Sequence, residues 1–352
     1  MRILILRLSS IGDCVLASPV VEALRDRYPD AQISWVVQAK SAPVVQGLPG
    51  LDEVIVWDAD SHHVAGMWRA VRQTLQAPYD IAIDLQGLDK AALFMATSRA
   101  AKRISSSRAR FFARFVGNAI ADETHQLHAW KTYLRRVGLA GVPADAETRY
   151  FPRVPITAQN TAHFRRLLSD AGWQEKQPFF GLNLGTPTSP KTWPATHYAR
   201  IAARLLEEYP DGYVMIFGAP SDSGSRDAFM AELQQLPAEA RRVVDGVGEL
   251  SLMDLAAAAR DSAAFLTTDT GPMHVAAAAG APMLALFGRS RVERTAPVHH
   301  PQNPPIRVLD AQDVTTERPT PMSALTVDMV WDELQTMIQS AGRASQVPVT
   351  LA

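Results

Sequence analysis

Four short stretches of the chain carry residue types and spacings suited to chemistry. The first is Ser9-Ser10-Ile11-Gly12-Asp13, directly after an apolar run at 3–8. Gly12 allows a tight turn and close approach of a ligand. Asp13 places a carboxylate at the start of a helical pattern, where it suits a general base. The same position also suits a plain N-terminal acid, worth about 0.3–1 kcal/mol to the helix. The second is Thr186-Pro187-Thr188-Ser189-Pro190-Lys191-Thr192-Trp193-Pro194, opened by Gly185. Its hydroxyls and single lysine suit a diphosphate, with Lys191 countering charge on a leaving phosphate; the structural alternative is a surface loop with one solvated lysine. The third is Asp269-Thr270-Gly271-Pro272-Met273-His274. Pro272 suits the first helical position and Asp269 or Thr270 the cap. The VAAAAGAP that follows reads as a buried helix whose free N–H groups make an anion site. His274 falls in its first turn, within reach of a phosphate, or else is a packed core histidine. The fourth is basic: Arg99, Lys102, Arg103, Arg108, Arg110 and Arg114, with no acid from 99 to 114. Such a run is commonly a solvated face. Phe111, Phe112 and Phe115 interleave with it, which suits an anionic amphiphile or a membrane surface. His125 and His128 stand three apart with no third ligand near, so no metal site is read there.

The elements that must position these residues follow from alternating apolar and helical patterns. Strands are expected at 3–8, 33–37, 54–57 and 81–84 in the first half, with a helix over 14–28. The second half repeats the pattern, with strands at 179–184, 213–218, 242–245, 264–268, 283–287 and 306–309 and helices over 197–209 and 252–259. Strands alternating with helices imply βαβ units and parallel sheets. Residues 137–158, rich in Ala, Gly and Pro, read as a linker. Expected domains are therefore 1–150 and 159–322. A final amphipathic helix at 323–342, with Leu325, Val327, Val330, Leu334, Met337 and Ile338 on one face, suits packing on either domain, including a return to the first. The last ten residues read as frayed. In α/β sheets ligands bind beyond the carboxyl ends of strands, which is where the first three stretches fall.

Length and composition agree and exclude other classes. The 352 residues suit two domains, and 47% hydrophobic content is ordinary for globular cores. Lys+Arg of 35 against Asp+Glu of 36 argues against a nucleic-acid binder. One cysteine, Cys14, excludes an intrachain disulfide and a multi-cysteine metal site, and fits a cytoplasmic setting. Arg7 interrupts the early apolar run, so residues 3–8 read as a strand rather than a signal peptide. No stretch approaches the length of a membrane span. Neither GxGxxG nor GK[ST] follows a strand, which counts against dinucleotide and P-loop chemistry.

With these residues in hand, the chain resembles the ADP-heptose:lipopolysaccharide heptosyltransferases, glycosyltransferase family 9, from Met1 to about residue 340. The pieces that carry the resemblance are RLSSIGDCVLASP at 7–19, DLQGLDKAAL at 84–93, TPTSPKTWP at 186–194 and DTGPMHVAAAAGAPMLALFG at 269–288. DLQG and the stretch leading to LHAW at 127–130 look more like members that add the first heptose to Kdo₂-lipid A. The resemblance implies a GT-B fold: two Rossmann-like domains with parallel sheets facing a central cleft, acceptor on the first and nucleotide sugar on the second. It implies inverting transfer from ADP-heptose as co-substrate, with no required cofactor or metal, by an enzyme peripheral on the cytoplasmic face of the inner membrane. Asp13 matches the family's base and Lys191 the lysine that meets the diphosphate. Thr186 lies at the phosphate-loop threonine, with Thr188 beside it. Asp269, Thr270, Gly271 and His274 match the donor-site DTGxxH. Asp222 falls where the family places an acid on the nucleoside, and Leu250 near the adenine. Because like charges repel, Asp269 is expected to cap its helix or bind donor-sugar hydroxyls rather than face phosphate. On the acceptor side, Ser10, Gly12, Gln86, Lys90, Arg103, Arg110 and His128 are the candidate contacts to an anionic glycolipid. The chain departs from the family where an arginine-glutamate pair is reduced to Arg110-Phe111 and the following segment reads FARFVGN. Alternatives are transfer to a later core heptose or another glycan, nucleotide-sugar epimerisation, and a non-catalytic nucleotide-sugar-binding protein on the same scaffold.

Overall fold

In the computed structural model the described residues are 1–58, 63–110, 112–123, 126–185, 189–237 and 240–344. The chain divides into two units, Met1–Pro155 and Ile156–Ala352.

The first unit is built on a six-stranded parallel sheet: β1 (Arg2–Leu6), β2 (Gln32–Gln38), β3 (Glu53–Trp57), β4 (Ile81–Asp84), β5 (Lys102–Ser106) and β6 (Ala119–Ala121). Their order is β3-β2-β1-β4-β5-β6. Burial on both faces explains the near-continuous apolar character of β1, β2 and β4. β5 and β6 were not among the expected strands. β5 reads KRISS and lies inside the basic run; its buried Ser105 and Ser106 and half-buried Arg103 hid it. The helix expected over 14–28 is two helices, Ile11–Ala17 and Pro19–Arg27. The break falls at Ser18, before a proline with no N–H to give. The stretch expected as a linker instead packs on this unit. Val142, Ala146 and Tyr150 are buried, the Tyr150 hydroxyl donates to Asp26 at 2.8 Å, and Arg153 N donates to Ser18 Oγ at 2.9 Å.

The second unit repeats the plan with β7 (Phe179–Asn183), β8 (Tyr213–Phe217), β9 (Val243–Asp245), β10 (Ala264–Thr268), β11 (Met283–Phe287) and β12 (Ile306–Asp310). The order is β12-β11-β10-β7-β8-β9, again all parallel. One face is covered by helices Ala195–Glu208, Ser223–Leu233 and Val327–Ala344, the other by Ala158–Asp170, Leu252–Asp261 and Gly271–Ala279. The C-terminal helix puts Val330, Leu334 and Met337 into this core. Its apolar face is therefore used within the second unit. The terminal stretch read as frayed lies mostly outside the described residues.

Both sheets share one topology: the first strand of each is central and pairs with its second and fourth. The winding reverses between first and fourth strands, and the loops leaving their carboxyl ends diverge to leave a crevice. In the first unit these loops follow β1 and β4; in the second they follow β7 and β10.

Candidate functional site

At the first crevice the loop after β1 carries Asp13. Helix Ile11–Ala17 starts with Ser10 as N-cap and Asp13 at its third position. Ser10 N and Oγ both donate to Asp13 Oδ2, at 3.3 and 2.9 Å. Asp13 is thus the helix-starting acid of the structural alternative, but with partners that alternative does not require. Arg7 Nη2 lies 2.5 Å from Oδ2, and the Tyr133 hydroxyl donates to Oδ1 at 3.1 Å. Burial alone pushes the Asp13 carboxyl up. The Arg7 charge and the Ser10 hydrogen bonds outweigh it and hold the group below the usual carboxylate range. Cys14 donates to the Arg7 carbonyl at 3.5 Å, and burial pushes its thiol up to about 12. It stays a neutral, inert thiol at physiological pH.

The loop after β4 braces the loop after β1. Asp84 Oδ1 accepts from Gln86 N and Gly87 N, both at 2.8 Å, which sets the DLQG turn. Gly87 takes φ +73°, a left-handed conformation that favours glycine. Gln86 Oε1 in turn accepts from Leu8 N at 2.7 Å and Ser9 N at 3.2 Å. Gln86, expected as an acceptor contact, therefore clamps the loop that presents Asp13. Gly12 is buried in that helix start, while Ser10 is exposed.

The remaining acceptor candidates divide. Two guanidinium nitrogens of Arg103 are committed to backbone, Nε to Val116 O at 2.7 Å and Nη1 to Ala100 O at 3.1 Å. That is a structural role. His128 caps helix Ala129–Val137, its Nδ1 accepting from Trp130 N at 3.4 Å. Lys90 and Arg110 are exposed. The segments that carry them are joined, Arg110 N donating to Gly87 O at 3.0 Å and Phe112 N to Asp89 Oδ1 at 2.9 Å, and Lys90 Nζ lies 5.1 Å from the centre of the Trp57 ring. Phe112 and Phe115 are 74% and 76% exposed, an apolar display beside exposed Arg110 and Arg114. Phe111 and His125 lie outside the described residues.

At the second crevice, Lys191 Nζ lies 2.6 Å from Asp269 Oδ2. The two come from the loops after β7 and β10, on either side of the winding reversal. Gly185 opens the β7 loop with φ +71°, and its carbonyl accepts from Ser225 Oγ at 2.7 Å. Trp193 closes the loop: fully buried, its Nε1 donates to Leu325 O at 2.8 Å. The Lys191 side chain is 41% exposed. Thr186 and Thr188 lie outside the described residues. Thr270 is the N-cap of helix Gly271–Ala279, and Pro272 sits in its first turn. The Thr270 hydroxyl donates to Thr268 O at 3.2 Å, which leaves the helix-start amide at Gly271 without a side-chain cap. His274 is buried in that first turn. Asp269 does not cap the helix; its carboxylate takes Lys191.

Asp222 and Leu250 lie after β8 and β9. Asp222 is buried, with Oδ2 accepting from Ala219 N at 2.8 Å and Oδ1 from Ser221 Oγ at 3.2 Å, so it shapes its own turn. Gly248 N donates to Gly218 O at 3.0 Å and joins the two loops. The donor candidates thus follow four adjacent strands, β10-β7-β8-β9, along one sheet edge. At the usual interstrand spacing that is roughly 14 Å. Among the described residues no cluster of His, Cys, Asp and Glu is suited to hold a metal ion.

Residues 68–317 match the family model described as Glycosyltransferase family 9 (heptosyltransferase). The chain belongs to glycosyltransferase family 9. It is 28% identical over 309 residues to lipopolysaccharide heptosyltransferase 2 of Salmonella typhimurium, covering 85% of this chain and 86% of that one. It is 26% identical over 314 residues to lipopolysaccharide heptosyltransferase 1 of Pseudomonas aeruginosa, covering 82% and 79%. The fold is similar to that of ADP-heptose lipopolysaccharide heptosyltransferase II of E. coli, with a TM-score of 0.76 at 24% identity over 97% of this chain and 99% of that one. The architecture is therefore GT-B and the protein a glycosyltransferase. Relatives named heptosyltransferase 1 and heptosyltransferase 2 are both similar to the chain.

Sequence reasoning missed Arg7, Tyr133 and the clamping role of Gln86. Arg7 stood inside an apparent strand and Tyr133 is 120 residues from Asp13. A charged residue at the end of a buried strand was the available signal for Arg7; for Tyr133 there was none.

Proposed function

We propose that the chain transfers heptose from ADP-heptose to the Kdo or inner-core region of lipopolysaccharide, with inversion and without a required metal or cofactor. The observation that carries this reading is the Asp13 carboxylate, kept ionised and hydrogen-bonded on the crevice loop of the first sheet. The donor track of the second unit supports it. The acceptor hydroxyl oxygen attacks the anomeric carbon of heptose. The bond from that carbon to the β-phosphate oxygen breaks, and ADP leaves with the electron pair. Asp13 takes the hydroxyl proton, a contribution of about 10²–10⁴-fold. ADP is a stable anion, so no second carboxylic acid is needed, unlike the paired carboxylates of a glycosidase. Charge building on the β-phosphate is met by Lys191 and by the helix-start amide at Gly271.

The acceptor is an anionic glycolipid of the Kdo₂-lipid A type. Exposed Lys90, Arg110 and Arg114 match its charge, and Phe112 and Phe115 suit the bilayer surface that holds it. The protein then works at the cytoplasmic face of the inner membrane as a peripheral enzyme; no helix among the described residues is long and apolar enough to cross a membrane. The test is incubation with ADP-heptose and a panel of truncated lipopolysaccharides, followed by mass spectrometry. Heptose added to the Kdo-terminated acceptor supports the reading. Addition only to an acceptor already carrying heptose moves the transfer one position outward. ADP binding with no product from any acceptor supports a non-catalytic protein.

A further inference from the structure

The two oxygens of Asp13 are not equivalent. Oδ2 takes Arg7 Nη2 at 2.5 Å together with Ser10 Oγ at 2.9 Å and Ser10 N at 3.3 Å. A carboxylate oxygen offers about two acceptor sites, so Oδ2 is saturated. Oδ1 takes one hydrogen bond among the described residues, from the Tyr133 hydroxyl at 3.1 Å. The donors to both oxygens are themselves fixed. Arg7 is 8% exposed, its Nη1 donates to Leu85 O at 2.7 Å, and its guanidinium lies 5.2 Å from the centre of the Tyr133 ring. The Arg7 carbonyl accepts from Trp35 Nε1 at 2.9 Å. Tyr133 is 6% exposed.

We propose that Arg7 and Tyr133 are positioning residues for Asp13, and that Oδ1 is the atom that receives the acceptor proton. This deepens the reading of Asp13 as the base and rests on it. Arg7 saturates Oδ2 and blocks it as a proton acceptor. Tyr133 takes one site of Oδ1 and leaves the other for the substrate hydroxyl. The arrangement trades basicity for occupancy: a carboxylate so paired is a weaker base but is always ionised and always presents the same oxygen. That suits a reaction in which the attacking hydroxyl becomes acidic only as its bond to the anomeric carbon forms.

The groups facing Asp13 are few. From the loop before it come Arg7 and Ser10, and beside it on its own helix is Cys14. From helix Ala129–Val137 comes Tyr133, with Arg136 behind it and Lys131 and Arg135 on the same helix. The 3-10 turn Ala39–Val44 packs on the Asp13 helix and carries Lys40 and Ser41, the latter beside Cys14. The Asp13 carboxylate is bonded by Arg7, Ser10 and Tyr133.

The experiment compares wild type with Tyr133→Phe, Arg7→Met and Arg7→Lys by two readouts. The first is carbon NMR of labelled aspartate carboxyls, with the Asp13 signal assigned by its absence in Asp13→Asn. Wild-type Asp13 should stay ionised below the ordinary carboxylate range of about pH 4. Tyr133→Phe and Arg7→Met should both move its titration upward, and Arg7→Lys should restore much of the shift. The second is kinetics with ADP-heptose and Kdo₂-lipid A. In Tyr133→Phe, kcat should fall about tenfold with both KM values changed less than about twofold. Arg7→Met should cost about a hundredfold, and an acid limb should rise into the measurable range. Unshifted Asp13 titration in both Tyr133→Phe and Arg7→Met overturns the proposal whatever the kinetics show. So does a KM effect without a kcat effect. If Arg7→Met does not fold, Tyr133→Phe, which loses one hydroxyl, decides alone. Substantial turnover in Asp13→Asn would instead sink the reading of Asp13 as base, a separate result.

Discussion

Lys191 Nζ is held 2.6 Å from Asp269 Oδ2 across the crevice between β7 and β10. If Lys191 meets the donor diphosphate as proposed, the diphosphate must compete with Asp269 for the ammonium, and the ion pair that keeps Lys191 in place should cost some donor affinity. Lys191→Ala should weaken ADP binding about tenfold or more, and turnover with it. Asp269→Asn, which releases the lysine, should leave ADP affinity equal or raise it a few-fold. Titration calorimetry with ADP checks both. Unchanged affinity in Lys191→Ala would remove the phosphate assignment.

A second prediction concerns Asp84, which is 1% exposed, with Oδ2 unpartnered among the described residues. Burial raises its carboxyl above the ordinary range; hydrogen bonds from Gly87 and Gln86 and the Arg136 and Arg7 charges do not fully offset it. Below both the unfolded and folded values the group is protonated in both states and costs nothing. As pH rises through them the unfolded chain gives up its proton first, and the folded state loses ground. Asp84→Asn keeps an acceptor at Oδ1 for the DLQG turn and removes the ionisation. It should therefore melt higher than wild type at pH 7, with the gap closing toward about pH 4. Melting curves across that range give the answer; a pH-independent difference would contradict it.

The buried pair of Arg136 with Glu123 supports the helix that carries Tyr133. Arg136 Nε lies 2.5 Å from Glu123 Oε1, with side chains 6% and 8% exposed, and Nη1 also donates to the Asp84 carbonyl. Glu123 Oε2 accepts from Ser106 Oγ at 2.6 Å. Removing one partner strands the other in a low-dielectric interior. Arg136→Met should cost about 3–5 kcal/mol in urea unfolding of the first unit. A loss below about 1 kcal/mol would mean that water reaches Glu123 freely.

Phe112 and Phe115 are too exposed to serve the core, and Arg114 lies 5.2 Å from the centre of the Phe115 ring. If this face meets an anionic bilayer, replacing both phenylalanines by serine should reduce cosedimentation with phosphatidylglycerol-containing vesicles several-fold. Raising salt should weaken binding further, because the arginine contribution is screened. ADP affinity should be untouched. Equal sedimentation of variant and wild type would count against a membrane role for these residues.

The central strands of the second unit, β7, β8, β10 and β11, were legible because they are buried on both faces and so read as largely apolar runs. β5 was not legible, because Lys102, Arg103 and two serines fill most of it. The two crevices were legible through Gly12, Gly185 and Pro272, which mark turns and helix starts in their local chemistry. Asp13 and Lys191 stood out in the sequence as charged residues in segments that follow a strand's carboxyl end. The partners of those charges were not found. Tyr133 meets Asp13 only after five strands and several helices have folded between them, and no local pattern encodes that contact. The backbone bonds of Arg103 and Gln86 were hidden for a related reason: where a polar side chain finds its partners depends on tertiary placement.

The central claim is base-assisted transfer of heptose with Asp13 as the base. The most direct test sets wild type and Asp13→Asn side by side with ADP-heptose and Kdo₂-lipid A, and reads the mass of the glycolipid. Wild type should yield the acceptor plus one heptose and an equal amount of ADP. Asp13→Asn should bind ADP as tightly and yield essentially none. Comparable product from Asp13→Asn, or ADP release from wild type with the acceptor mass unchanged, would contradict the account.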